Sequence, residues 1–181
     1  RRGYVMRRGD GYALTTKGLH YATGVTFEHF SPRIQPKIVT LIVVKNARGE
    51  FLVYTRNRQP FIGMDGFPYG KIHLGEKIAE AAARELKEKT GLVSDLTQKG
   101  DLYLMVTDPS GEMIAHTLCH VFLGTKPMGE ITPQSPIGRV RWLSEKNLFN
   151  QNFMPGVVEA FRMATNKSKG LLFEEYEFEQ A

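Results

Sequence analysis

The sequence predicts a mixed α/β fold, one sheet-bearing domain preceded by a small basic unit, and three features carry that expectation. Ile38 to Val44 and Phe51 to Arg56 are short apolar runs bounded by turn residues, as strands are. Residues 76 to 89 set Ile78, Ala79, Ala82, Ala83 and Leu86 at helical spacing, so one stripe is buried while Glu85 and Glu88 project elsewhere. At 181 residues the chain is long enough for one domain with a sizeable core plus a small appendage.

Taken in order, Gly3 to Thr15 alternates apolar and polar residues on both sides of Gly9-Asp10-Gly11, a hairpin signal. Thr16-Lys17-Gly18-Leu19 then opens a short helix through Ala22 that ends near Gly24. Pro32 and Pro36 mark a linker, so the expected division is residues 1–30, a linker at 31–37 and a main domain at 38–181. Residues 45–50 join the first two strands of the main domain, and the glycine-rich 63–66 stretch leads into the loop before the helix. Gly91 stops that helix as a C-cap glycine does. Further strands are expected at Asp101 to Thr107, Met113 to Gly124 and Arg139 to Leu143, with a turn at residues 108–111. Pro155 to Thr165 has helical spacing, and Pro155 suits a first turn. The tail, Leu171 to Gln180, sets Phe173, Tyr176 and Phe178 among four Glu; an extra strand and an acidic partner-binding tail both stay open.

The chemistry concentrates in residues 70–92. Glu85, Glu88 and Lys89 stand at i, i+3 and i+4 and share one helix face. Two carboxylates that close make a hard-oxygen site suited to Mg²⁺ or Mn²⁺, and such an ion binds polyphosphate. Ordinary solvated pairs are the plainer reading: Glu80 with Arg84, Arg84 with Glu88 and Glu85 with Lys89 each contribute only about 0.2 to 0.5 kcal/mol. Gly70 and Gly91 at the two ends, and the central Arg84-Glu85 pair, go beyond what a solvated helix requires.

At these residues the chain resembles the Nudix hydrolase family, whose signature is G, five residues, E, seven residues, then R-E-U-x-E-E-x-G-U with U aliphatic. Gly70, Glu76, Arg84, Glu85, Leu86, Glu88, Gly91 and Leu92 fall on signature positions, and Phe67-Pro68-Tyr69 is similar to the family's aromatic-Pro-Gly entry. Lys89 departs from it, standing where the family has the second of its paired glutamates. Val140 to Ser144 followed by Leu148 resembles the family's late strand entering its final helix, with Trp142 read as core.

The resemblance covers roughly residues 37–165 and implies an α/β/α sandwich with a mixed sheet. It implies a hydrolase that cleaves the pyrophosphate bond of a nucleoside diphosphate linked to another moiety, with Mg²⁺ or Mn²⁺ as cofactor. Glu85, Arg84 and Glu88 would be its catalytic residues, Arg84 orienting a glutamate, and Gly70, Glu85 and Glu88 would hold the metal. Glu76 would support the helix and Arg84. Arg56, Lys71 and His73 are the expected substrate-binding residues. Lys89 sets a positive charge beside the ion, so weakened metal binding is expected. The alternative is a non-catalytic Nudix-fold module or regulator attached to a DNA-binding part.

That alternative draws on the charge distribution. The net charge is +5, and residues 1–37 hold seven basic side chains (Arg1, Arg2, Arg7, Arg8, Lys17, Arg33 and Lys37) against Asp10 and Glu28; the remainder carries 17 of each sign. The excess is N-terminal, which fits an acidic partner such as DNA or a merely solvated arm. Residues 1–24 resemble, less specifically, the wing and last helix of a winged-helix domain. Arg1-Arg2-Gly3 shows neither an initiator Met nor an apolar signal core, so preceding residues are expected.

Several function classes are excluded. No apolar run approaches the roughly 20 residues of a membrane span. The single Cys119 forms no internal disulfide and fits a cytoplasmic location, where it reads as a small buried apolar residue. His116 and His120 lie four residues apart in a strand, about 13 Å, too far to share one ion, and read as sheet-surface or substrate-edge residues. No Ser-His-Asp order, P-loop or Cys pair occurs. A homodimer stays open.

Overall fold

The computed structural model describes every residue except 1, 2, 27, 28, 30, 136, 137, 169 and 181. Arg1, Arg2 and Glu28, counted above in the basic segment, lie outside the described residues. The chain divides into two compact units, Arg1–Gln35 and Pro36–Ala181. The division falls inside the expected linker, and Lys37 already begins a strand.

In the first unit, β1 (Val5–Arg8) pairs antiparallel with β2 (Gly11–Leu14), with Val5 opposite Leu14 and Arg8 opposite Gly11. The expected short helix follows as α1 (Thr16–Thr23), whose entry is capped by the Thr15 hydroxyl accepting from the Gly18 N–H at 3.1 Å. Both strands are largely exposed, including Val5, Met6 and Tyr12.

The second unit continues with β3 (Lys37–Val44), β4 (Glu50–Arg56), β5 (Asp65–Gly66), β6 (Tyr69–Lys71) and α2 (Ile78–Thr90). Then come β7 (Val93–Thr107), β8 (Met113–Met128), β9 (Gln134–Ser135), β10 (Gly138–Ser144), α3 (Glu145–Leu148), α4 (Val157–Thr165) and β11 (Leu172–Glu179). A five-stranded sheet runs β11-β7-β8-β3-β6, and a four-stranded antiparallel sheet runs β5-β4-β10-β9. The larger one is mixed, because β3 lies parallel to β8 and β11 parallel to β7.

Strand alternation explains the layering. Val39, Leu41 and Val43 of β3 and Phe51 and Val53 of β4 join a core with Ala160, Phe161 and Met163 of α4. The intervening Ile42, Val44, Leu52 and Tyr54 join a second core with Ala82 and Leu86 of α2. Side chains one residue apart in a strand face opposite ways, so two strands feed both layers and the helices cover opposite faces. Leu86 is fully buried, as its place on the apolar stripe predicts.

Several expected boundaries shift. The helix starts at Ile78 rather than residue 76, because the Glu76 carboxylate is committed to Arg84 and the Lys77 N–H donates to Glu80 at 3.3 Å. β7 begins at Val93 rather than Asp101, and β8 runs to Met128 rather than Gly124. Their pairing is bulged near residues 93–95 and 98–100, and each bulge breaks the period-two pattern that marks a strand. The tail is a strand, pairing in parallel with residues 100–107 of β7. Among the described residues no helix is long and apolar enough to cross a membrane.

Candidate functional site

The site is assembled where β6 delivers the chain into the loop before α2. Gly91, in the left-handed region at φ 80°, ends α2 and returns its N–H to the Lys87 carbonyl, so the helix is fixed at its far end. At its near end Arg84 ties helix to loop. Its Nε donates to Glu76 Oε1 at 2.7 Å and its Nη2 to Glu76 Oε2 at 2.8 Å, a bidentate pair, while Nη2 also reaches the Lys71 carbonyl at 3.0 Å. The Nη1 group spans Glu85 Oε1 at 2.8 Å and Glu88 Oε2 at 3.2 Å. Hydrogen bonding from Arg84 holds the Glu76 carboxyl down at about 2, and Glu76 in turn raises the Arg84 guanidinium above its ordinary value.

Glu85 is the inner carboxylate of this cluster and is buried. It lies against Gly70: a Cβ there would come within 1.8 Å of the Glu85 carboxyl carbon. The glycine in β6 is therefore required by close approach of the carboxylate. The other Glu85 oxygen, Oε2, is 3.2 Å from the Lys89 ammonium. Lys89 Nζ also donates to the Tyr69 carbonyl and sits 4.8 Å from the Tyr69 ring centre and 5.9 Å from that of Tyr54. Burial pushes the Lys89 pKa down, and Glu85 opposes that shift.

A cavity of about 470 Å³ opens beside this cluster. Gly70, Lys71, His73, Glu85 and Arg56 all line it, so the expected substrate-binding residues meet two of the expected metal-holding ones. Its apolar floor includes Leu104, Val106 and Cys119, and its basic lining comprises Lys37, Arg56, Arg58, Lys71 and Lys89. Glu85 is the one acidic side chain among the described lining residues. Arg56 is built in rather than loose: its Nε donates to the Arg58 and Pro60 carbonyls at 2.7 and 2.6 Å, and its guanidinium stands 5.4 Å from the Tyr69 ring centre.

The donor set does not fit a divalent ion in this arrangement. Such an ion requires oxygens at roughly 2.0 to 2.6 Å, and both Glu85 oxygens already face cations. An ammonium and a dication about 4 Å apart repel by about 8 kcal/mol at an effective dielectric constant near 20. Among the described residues no group of three or more His, Cys, Asp or Glu converges as a metal centre.

Cys119 is buried as expected, whereas the two histidines differ from their sheet-surface reading. His120 is buried and pairs through Nδ1 with Asp101 Oδ1 at 2.7 Å, contrary to the surface reading. His116 packs edge-on against Tyr103, with ring centres 4.9 Å apart, and its buried Nε2 has no hydrogen-bond partner among the described residues. Burial pushes the Cys119 thiol up to about 11, so it forms pocket floor and not a nucleophile. The rim cations Lys37 and Arg58 and the Tyr54 and Tyr69 rings were missed. Arg58, two residues beyond Arg56, offered a hint; Lys37 is brought in from the start of β3, which no local pattern reveals.

A family model described as the NUDIX domain matches residues 35–162. An ADP-ribose pyrophosphatase from Methanocaldococcus jannaschii is 31% identical over 74 residues, 41% of this chain and 42% of that protein. The match thus spans less than half the length of that relative. A crystal structure of a MutT protein from Bacillus halodurans superposes with a TM-score of 0.64 at 24% identity, covering 79% of this chain and 90% of that one. The NUDIX domain of Shewanella oneidensis NrtR, solved in complex with ADP ribose, gives 0.63 at 15% identity over 80% of this chain and 94% of that one. At these identities the two structures establish the fold.

Proposed function

The chain belongs to the Nudix family, and from that premise we propose that its second unit is a pyrophosphohydrolase acting on a nucleoside diphosphate linked to another moiety. The observation that carries this reading is the cavity itself, where five basic side chains and one carboxylate surround an apolar floor. A ligand with an apolar or aromatic part and two linked phosphates matches that lining in charge and in polarity. The ADP-ribose pyrophosphatase and the ADP-ribose complex among the similar proteins support the same substrate class.

Each residue then has a role. Arg56 and Lys71 contact phosphate oxygens, Arg56 from a guanidinium already held by its loop. His73, exposed on the loop, contacts the outer phosphate. Hydrolysis needs a water to attack phosphorus and lose a proton, and Glu85 is the carboxylate lining the cavity that can take it. Arg84 is a positioning residue, holding Glu85 and Glu88 against the loop. Nudix hydrolases generally depend on a divalent metal, for which the family resemblance implies the Gly70 carbonyl, Glu85 and Glu88 as donors to Mg²⁺ or Mn²⁺. With Lys89 seated on Glu85 that set does not fit the ion, and no step is assigned to it.

The test is a phosphatase-coupled phosphate-release screen over ADP-ribose, nucleotide sugars, dinucleotides and nucleoside triphosphates, with Mg²⁺ or Mn²⁺. Turnover of a nucleoside diphosphate derivative that Glu85→Gln removes is the expected outcome; no turnover on the whole panel overturns the reading. For the first unit we propose phosphate contacts to duplex DNA through Arg7 and Arg8, both exposed on β1. Affinity should fall steeply with salt, and Arg7→Ala with Arg8→Ala should weaken binding to all sequences alike. Salt-independent binding overturns this.

A further inference from the structure

The misfit between Lys89 and a divalent ion points to what Lys89 does. We infer that the Lys89 ammonium is a built-in cation standing where the ion would sit, and that it binds the linked phosphates of the ligand directly, without metal. The inference rests on the cavity being the ligand site, as read above.

Four observations converge on it. Lys89 is held on two sides, by Glu85 Oε2 at 3.2 Å and by the Tyr69 carbonyl, so its position is specified and not that of a free surface side chain. Its side chain is 15% exposed, against 84% for Lys77 at the start of the same helix. The Tyr69 and Tyr54 rings add two further faces of favourable contact, which suit an ammonium. Finally, Lys89 lines the cavity together with Lys37, Arg56, Arg58 and Lys71.

An ammonium has three N–H donors, and among the described residues two have protein partners. The third is left for a ligand oxygen. The chemical reason for a metal beside a pyrophosphate is charge: two phosphates carry negative charge that needs a cation at close range. Lys89, with Arg56 and Lys71 on the same cavity, supplies positive charge without an ion having to be captured first. Glu85 anchors that cation, which also explains why its Oε2 faces inward although no ion is needed to hold it there.

The experiment measures binding and metal occupancy separately from turnover. Binding of inorganic pyrophosphate and of ADP-ribose to the full chain is followed by calorimetry in EDTA and in Mg²⁺, and Mn²⁺ binding by electron paramagnetic resonance. Wild type should bind both probes in EDTA about as tightly as in Mg²⁺ and take up Mn²⁺ poorly. Lys89→Met should lose about 10- to 100-fold of the affinity in EDTA, the range expected for one charge-assisted hydrogen bond. Lys89→Arg, which keeps the charge, should retain most of it and controls for folding. Lys89→Glu should restore a carboxylate and bind Mn²⁺ at least about tenfold more tightly than wild type, with probe binding now abolished by EDTA. Binding by wild type only in Mg²⁺, no binding of either probe in EDTA, or unchanged affinity in Lys89→Met each overturns the inference. Hydrolysis scored on the same samples reports on the hydrolase reading alone: probe binding in EDTA without turnover in any metal keeps the built-in cation and removes the enzyme.

Discussion

The arginine–carboxylate networks around Arg141 and Arg84 in the second unit differ, and their difference locates the function. In one, Arg141 Nη2 meets Asp65 Oδ2 at 2.7 Å and Gln151 Oε1 at 2.9 Å, while Nη1 also reaches Thr55. That network joins β10, β4, β5 and the segment after α3, with one cation for one anion. In the other, Arg84 and Lys89 face Glu76, Glu85 and Glu88, two cations against three carboxylates. A balanced pair is explained by stability; a buried Glu85 at the wall of a basic cavity is not. Arg141 and Asp65 also line a cavity, of about 440 Å³, so it is the charge count and the strongly basic lining around Glu85 that separate the two networks, although both look alike as ion pairs.

The largest expected contrast comes from Glu85→Gln, which keeps shape and removes the base. Turnover per folded molecule should fall by about 100-fold or more, and the thermal midpoint should drop as well because Arg84 and Lys89 lose the charge they face, measured by phosphate release and by melting. Arg141→Met should act on stability alone, destabilising by about 2 kcal/mol by leaving buried Asp65 without its cation, with turnover per folded molecule unchanged. If Arg141→Met cuts turnover as deeply as Glu85→Gln, the distinction collapses.

Arg84→Met sharpens the same comparison, because Arg84 is both a brace and a positioner. It should lower stability by about 2 to 3 kcal/mol and kcat by about 10- to 100-fold, and KM should rise as well, since Arg84 braces the Lys71 carbonyl and the Glu76 side chain that holds His73. A purely structural role would leave kcat per folded molecule intact. Gly70→Ala should show a milder form. Its Cβ displaces the flexible end of Glu85 and not backbone, so activity should drop further than stability does.

The smallest effect is in acid. Arg84 hydrogen bonds hold the Glu76 carboxyl at about 2, below its ordinary 4.5. A carboxyl with a depressed folded-state pKa stabilises fully above its unfolded value, and that stability disappears as pH falls through the folded value. Wild type should therefore lose stability relative to Glu76→Gln between roughly pH 4.5 and pH 2. Denaturant titrations across that window check it; parallel curves for the two proteins would falsify the coupling.

Much of this was legible in residues 70–92, where spacing implied a helix with Leu86 and Ala82 inward and the family resemblance implied Glu85 and Glu88 near Gly70. Those relations are local: glycine at a close approach, a C-cap and side chains three or four apart depend on few neighbours. The strands of residues 38–44 and 51–56 were legible for the same reason, since period-two burial is written in the run itself. The bulged start of β7 was not, because a bulge erases the alternation. Nor was the parallel pairing of β11, which depends on a partner some seventy residues earlier in the chain.

The sequence by itself determined the α/β class, the helix and the identity of the carboxylate cluster, because each follows from periodicity and short-range chemistry. Only the tertiary structure decided where the Lys89 ammonium points. In sequence it is a substituted position in a helix; in the fold it is seated between Glu85, the Tyr69 carbonyl and two aromatic rings that arrive from β4 and β6. The physical reason is that a cation's role is set by the groups that desolvate and face it, and those come from strands that are neighbours only after the sheets have formed.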